Sequence, residues 1–172
     1  MNKQHVMVDL ETLGNNSSSV IISIGAVAFD LDKNETFTDT FYSVIDPQSC
    51  VDVGLKMDVS TVMWWMKQSD GARKAFEKTG SPLNEVLLEF TQWYPKGAKF
   101  WGNGATFDNV ILSNAYAACK MEKPWGYSDD RCYRTVKALY PDVKVERVGV
   151  YHNAVDDAVT QAKHLVAMLG GV

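Results

Sequence analysis

Asp9-Leu10-Glu11-Thr12 puts two carboxylates two residues apart where the apolar run from Gln4 to Val8 ends. Side chains alternate along an extended chain, so both acids point to one side and converge on one place. Neighbouring carboxylates repel unless a proton or cation lies between them, and their hard oxygens suit Mg²⁺ or Mn²⁺. Acids at strand ends also do nothing more than cap turns, so this pair gains meaning only from company. A third acid, Asp108, follows Trp101-Gly102-Asn103-Gly104-Ala105-Thr106-Phe107, at the start of a helix directly after a short apolar strand. Helix capping is the ordinary role of such an aspartate. The two glycines nevertheless permit close backbone approach, and a helix N-terminus favours anionic groups such as phosphate. Finally, His152-Asn153-Ala154-Val155-Asp156-Asp157 sets a histidine five residues before an aspartate. An imidazole on a loop can take a proton from water, and a carboxylate in the first helical turn can ligate metal. Asp156 has suitable spacing too. Asp157 is preferred because Ala158, Gln161 and Leu165 continue its helical face.

These residues need elements to hold them. Gln4 to Val8, Val20 to Phe29 and Thr36 to Ile45 read as three strands, joined by 15–19 and by a tight turn at Asp32-Lys33-Asn34, which favours an antiparallel meander. From about residue 60 the period becomes helical. Ser60 can cap a helix that buries Val62, Trp65 and Met66; a second helical stretch runs from Gly71 to Lys78, and Ser81 opens a third carrying Val86, Leu87, Phe90 and Trp93. Lys99 to Gly102 then reads as a buried strand, Phe107 to Cys119 and Arg134 to Tyr140 as helices, and 141–149 as irregular. Ala154 to Leu169 is a terminal helix stopped by Gly170-Gly171. Strands followed by strand-helix alternation imply an α/β protein with a mixed sheet and helices on its faces.

Composition narrows the function. The 172 residues fit one domain, 1–172, and the 46% hydrophobic and 22% charged fractions are those of an ordinary globular protein. No apolar run approaches a membrane span, and the segment from Met1 to Asp9 lacks a secretory pattern, so a cytoplasmic address is expected. Cys50, Cys119 and Cys132 are scattered and odd in number, as reduced thiols would be. A net charge of −4, from 17 Lys+Arg against 21 Asp+Glu, argues against a broad grip on duplex DNA. A polyanionic substrate would need metal ions or a local patch, and Lys120, Lys123, Arg131, Arg134 and Lys137 give only a mild basic excess.

Taken together, Asp9-x-Glu11, Asp108 and His152-x(4)-Asp157 resemble the DEDDh exonuclease family of the ribonuclease H-like superfamily, whose motifs they reproduce in order from Val8 to Leu165. Trp64-Trp65 with Gln68, Arg134-Thr135 and His152-Asn153-Ala154 resemble the branch that holds ribonuclease AS and the phage exonucleases of the exonuclease VIII type. One departure is Cys132, where that branch often carries an acid two residues before the arginine; it bears on substrate contacts rather than on the metal site.

The resemblance implies a ribonuclease H-like five-stranded sheet in order 3-2-1-4-5, its second strand antiparallel to its neighbours, flanked by helices. It implies two Mg²⁺ or Mn²⁺ ions, with Asp9 bridging, Glu11 and Asp157 completing one shell, and Asp108 supporting the other, partly through water. His152 would deprotonate the attacking water, and Thr12, Leu13, Trp65, Gln68, Asn103, Phe107 and Arg134 would bind substrate. The reaction implied is 3′→5′ removal of nucleoside monophosphates from single-stranded or 3′-overhang RNA or DNA by a homodimer, with Trp64 to Lys78 nominated for the interface. Adjacent tryptophans cannot both lie centrally in one helix face, so one of them is free to stack on a base or a partner, or stays partly in the core. Met57, Met63 and Met66 read as core filler, and His5 and His164 as ordinary strand and helix residues. Two other classes compete: a nucleic-acid-binding module that keeps the fold without catalysis, and a phosphodiesterase of short oligonucleotides. The complete ligand set argues for the exonuclease.

Overall fold

In the computed structural model, which describes residues 3–170, the centre of the molecule is the strand that carries the first two acids. β1 (His5–Thr12) pairs antiparallel with β2 (Ile21–Phe29), and β2 pairs antiparallel with β3 (Asp39–Val44). On its other side β1 runs parallel to β4 (Lys99–Gly102), which runs parallel to β5 (Asp130–Cys132). The order is therefore β3-β2-β1-β4-β5, as expected. The helices are α1 (Pro47–Asp52), α2 (Val59–Trp65), α3 (Asp70–Arg73), α4 (Leu83–Trp93), α5 (Asp108–Ala118), α6 (Tyr133–Leu139) and α7 (Ala154–Leu169).

Alternation along β1 assigns its residues to two cores. Val6, Val8 and Leu10 join the larger core with Leu87 and Phe90 of α4 and Ile111 and Leu112 of α5. Met7 faces the other way, into a core with Val27, Phe29 and the Ala158, Ala162, Leu165 stripe of α7. Asp9 and Glu11 share the parity of Met7, so the same period-2 rule that buries Met7 aims them at α7. β2 is buried along its whole length because both sheet faces are covered, and it reads as a continuous apolar run. The stripe on α7 is mostly alanine, which lets the helix approach the sheet closely. At Gly25, paired with Asp9, an added Cβ would come 2.1 Å from the backbone carbon of Ala154.

Several local expectations change. The link between β2 and β3 spans 30–38, longer than a tight turn, because Asp32 caps a local turn by accepting the Asn34 amide while the chain returns through Phe37 at φ +54°. Asp58, not Ser60, occupies the N-cap of α2. Met66 is exposed, not core, and so are Met57 and Met63, because α2 is one short helix lying on the rim with only Trp65 inside. The Gly71 to Lys78 stretch divides into α3 and a 3₁₀ turn over Lys74–Glu77. Ser81 does not cap α4; it pairs as an isolated bridge with Ile45, and Pro82 takes the N-cap. α1, six residues long, was not anticipated, and β5, the fifth strand that the resemblance implies, is only three residues long and had not been located along the chain. Gly170 ends α7 as expected; Gly171 lies outside the described residues. The three cysteines are free thiols.

Candidate active site

At the C-terminal end of β1 the chain forms a cleft of about 500 Å³, lined in part by Asp9, Glu11, His152 and Asp157. Asp9 arrives from β1, and its Oδ1 accepts a hydrogen bond from the Gln161 side-chain amide of α7 at 2.8 Å. Glu11, one pleat further along, is 8% exposed. Asp108, on α5 and 2% exposed, does not line the cleft itself; its two oxygens accept the backbone N–H of two residues that do, Leu10 at 3.1 Å and Asn103 at 2.9 Å. Phe107, not Asp108, is the N-cap residue of α5. Asp108 thus ties the β4–α5 turn to β1 instead of capping its own helix. Gly102 makes the turn possible, since a Cβ there would meet the Asn109 Oδ1 at 2.2 Å.

The other half of the site comes from the start of α7 and the loop before it. Asn153 caps the helix by accepting the Asp156 amide at 3.2 Å. Asp157 then faces the cleft, and Asp156 turns back to accept the Val150 amide at 2.8 Å. Of the two candidate aspartates, only Asp157 lines the cleft. His152 sits at φ +60°, and its backbone N–H donates to Asp157 Oδ2 at 3.1 Å. The rings of Trp64 and Trp65 meet the imidazole edge-on, with centroids 5.2 and 6.1 Å away. Glu11, His152 and Asp157 each offer a ligand atom, and these atoms all lie within 4.8 Å of one another.

Packing the acids together displaces their protonation. Burial, followed by the charges of Asp157 and Asp108, pushes the Glu11 carboxyl up to about 8. Burial raises Asp108 to about 7 against the opposing pull of its backbone hydrogen bonds. Asp9 is raised well above the carboxylate range by burial and by the charges of Asp108, Glu11 and Asp157. A floor of oxygen donors that cannot all ionise at neutral pH is one that a divalent cation would neutralise. Gln161 fits that reading, because its amide nitrogen is spent on Asp9 and its buried oxygen accepts nothing from any described residue.

The expected substrate residues divide. Thr12, Trp65, Asn103 and Phe107 line the cleft. Trp65 is 5% exposed and anchored by its indole N–H to the Thr12 carbonyl at 2.8 Å, whereas Trp64 is 43% exposed. Leu13 is buried beside the cleft without lining it. Gln68, beyond the end of α2, turns back to donate to the Trp64 carbonyl, and Arg134 donates to the Asn103 carbonyl, bracing the β4–α5 turn from outside. Cys132 lies at the N-cap of α6, where the Thr135 side chain and the amides of Ala105, Thr135 and Arg134 hold its thiol below its usual range although burial opposes them. Arg147, Tyr151, Lys137 and Gln161 also line the cleft and were not foreseen as site residues. Gln161 had a signal, standing one turn beyond Asp157. Arg147 had none, since it lies in a stretch without periodicity.

The pattern of the 3′-5′ exoribonuclease Rv2179c-like domain matches residues 4–169. Among curated proteins, an exodeoxyribonuclease of Enterobacteria phage T4 is 25% identical over 121 residues, covering 62% of this chain. The chain spans about half, 52%, of that relative's length. Among solved structures, the nuclease domain of 3′hExo, a DEDDh family member bound to rAMP, aligns with a TM-score of 0.67 over 95% of this chain and 90% of its own, at 14% identity. Pop2p of S. pombe, in a form with Mg²⁺ and Mn²⁺ bound, aligns at 0.64 over 95% and 82%, also at 14% identity. The cell-death related nuclease CRN-4 aligns at 0.53 over 97% and 64%, at 13% identity. The shared architecture is the ribonuclease H-like sheet in order 3-2-1-4-5.

Proposed function

The chain belongs to the 3′-5′ exoribonuclease Rv2179c-like family of DEDDh exonucleases, and from that premise we propose that it removes nucleoside monophosphates from the 3′ ends of single-stranded or 3′-overhang nucleic acid. One observation carries this reading. Asp9, Glu11, His152 and Asp157, from segments up to 148 positions apart in sequence, line one cleft, and the carboxyls of Asp9, Glu11 and the buried Asp108 are raised by burial and crowding. We assign 1–172 to a single exonuclease domain.

Asp9, Glu11 and Asp157 would hold Mg²⁺ or Mn²⁺ directly. Asp108, with both oxygens already engaged by backbone amides, would support a second ion in part through water. When bound, such ions supply an acidified water and offset negative charge on the leaving oxygen. The chain's own groups do the rest. His152 accepts the proton of the attacking water as its oxygen bonds to phosphorus and the 3′ oxygen of the remaining strand departs. Trp64 and Trp65 restrict the imidazole through edge contacts, and Phe107 and Trp64 give a terminal base apolar surface to rest on. With Mg²⁺ or Mn²⁺, end-labelled single-stranded RNA and DNA should shorten from the 3′ end in one-nucleotide steps on a sequencing gel. Internal cleavage, 5′ shortening or activity undiminished by EDTA would overturn the proposal. The same gel reads whether RNA, as in the family description, or DNA, as in the phage relative's name, is preferred.

Among the described residues no helix is long and apolar enough to cross a membrane. We assign the enzyme to the cytoplasm and to a homodimer. The dimer is supported by the rim of α2, where Val59, Met63, Trp64 and Met66 are all exposed. Light scattering should give twice 19.2 kDa, and a mass of one chain would reject the dimer.

A further inference from the structure

Arg147 is a cation in the cleft that the chemistry above leaves without a task. Its Nη1 lies 2.5 Å from Asp157 Oδ1, in a pair whose side chains are only 21% and 16% exposed. Its Nη2 donates to the Val150 carbonyl at 2.7 Å, and its guanidinium carbon lies 3.7 Å from the centroid of the Tyr151 ring. The Nε is buried and donates to no described residue. The second Asp157 oxygen accepts the His152 amide. Both oxygens of Asp157 are therefore engaged, one of them by a permanent positive charge, within the Glu11-His152-Asp157 cluster that could share an ion. A divalent cation drawing on the same oxygen would stand within a few ångströms of the guanidinium. Like charges that close repel, and more strongly in a partly buried cleft than in open water.

We propose that Arg147 is a resident counter-cation: it holds Asp157 while no divalent ion is bound, yields that oxygen when one binds, and then turns its fork to a phosphate of the nucleic acid. The inference rests on the metal-dependent reading above. Displacement does not free the side chain altogether, because the Tyr151 ring and the Val150 carbonyl still tether it at the rim of the cleft. Nη1, freed from Asp157, and the second N–H of Nη2 then form a fork that two phosphate oxygens can satisfy together. Lys137, the other cation lining the cleft, lies by the Tyr133 ring with its Nζ 6.0 Å from the centroid and reaches no acid of the site within 4.0 Å.

Calorimetric titration of Mn²⁺ into wild type and Arg147→Gln, followed by adenosine 5′-monophosphate into each Mn²⁺-loaded protein, tests both halves. Arg147→Gln should bind Mn²⁺ about three- to tenfold more tightly, having lost its competitor, and the nucleotide about tenfold more weakly. Equal or weaker Mn²⁺ binding overturns the counter-cation, and unchanged nucleotide binding overturns the transfer to phosphate. Wild type that binds no Mn²⁺ at millimolar concentration would instead sink the metal-dependent function itself. Should Arg147→Gln fail to fold, Arg147→Lys carries the same comparison. Its ammonium lacks the fork, so both changes should appear in the same directions and smaller, and their absence overturns the proposal equally.

Discussion

The two halves of the cleft are built by different means. Asp9, Glu11 and Asp108 stand on the central strand and on a helix that a buried carboxylate bonds to that strand, amid residues with almost no exposure. His152, Arg147 and Tyr151 ride on a loop whose other members are largely exposed. That loop is held to α7 by a handful of polar contacts: Val148 to Thr160, Val150 to Asp156, His152 to Asp157. The contrast follows from what each half must do. Carboxylates gathered against their own repulsion stay together only where sheet packing over-determines their positions, whereas a group that exchanges protons with water must reach it. Stability should therefore reside in the first half and adjustability in the second.

The largest expected break is in the rigid half. Asp9→Ala or Asp108→Ala should lower turnover by about a thousandfold or more, since removing a residue of a unit that acts together costs nearly the whole effect. In EDTA, Asp9→Ala should melt no lower than wild type, because it relieves repulsion among buried acids. Substantial turnover by Asp9→Ala would show that the acids do not act through this site. In the loop half, His152→Ala should lose about two to four orders of magnitude in turnover, the usual scale of a general base, while Mn²⁺ still binds in a calorimeter. A variant with the wild-type rate would move the proton to another group.

Gly25→Ala tests the join between the halves. A Cβ 2.1 Å from the Ala154 backbone must push α7 from β2, and overpacking of this kind costs about 1 to 3 kcal/mol. The melting temperature should fall, and activity should fall further than stability, since Asp157 moves with α7. A variant equal to wild type in both would mean that α7 shifts freely.

The smallest effect is a pH dependence of the metal-free protein. Glu11 is raised to about 8 in the fold and returns to 4.5 when unfolded, so between those values the native state holds a proton that the unfolded chain releases. Stability is then present in full below about pH 4.5 and declines as pH rises toward 8. In EDTA, wild type should melt lower at pH 8 than at pH 5.5, and Glu11→Gln should flatten that slope. A melting temperature that rises across this interval in wild type would contradict the raised carboxyls.

The sequence by itself determined the parts whose cause is local. The i, i+2 spacing of Asp9 and Glu11 put them on one side of a strand, and the β4 bounds and the run of α7 from Ala154 to Leu169 followed from apolar periodicity within a short window. The order of Asp9, Glu11, Asp108, His152 and Asp157 was enough to suggest the family. Tertiary structure decided whatever depended on partners distant in the chain. The helical face had already favoured Asp157 over Asp156; packing adds the reason, since Asp156 is claimed by the Val150 amide and a Cβ at Gly149 would strike its carboxylate at 2.1 Å. Arg134 and Gln68 lie outside the cleft because the Asn103 and Trp64 carbonyls hold them. The methionines of the α2 region are exposed because that helix lies on a rim where a face has nothing to bury against. Arg147 could not be found along the chain, since an aperiodic loop takes its shape from the helix on which it folds. A pattern within one element records which face is buried; only packing between elements decides what each face meets.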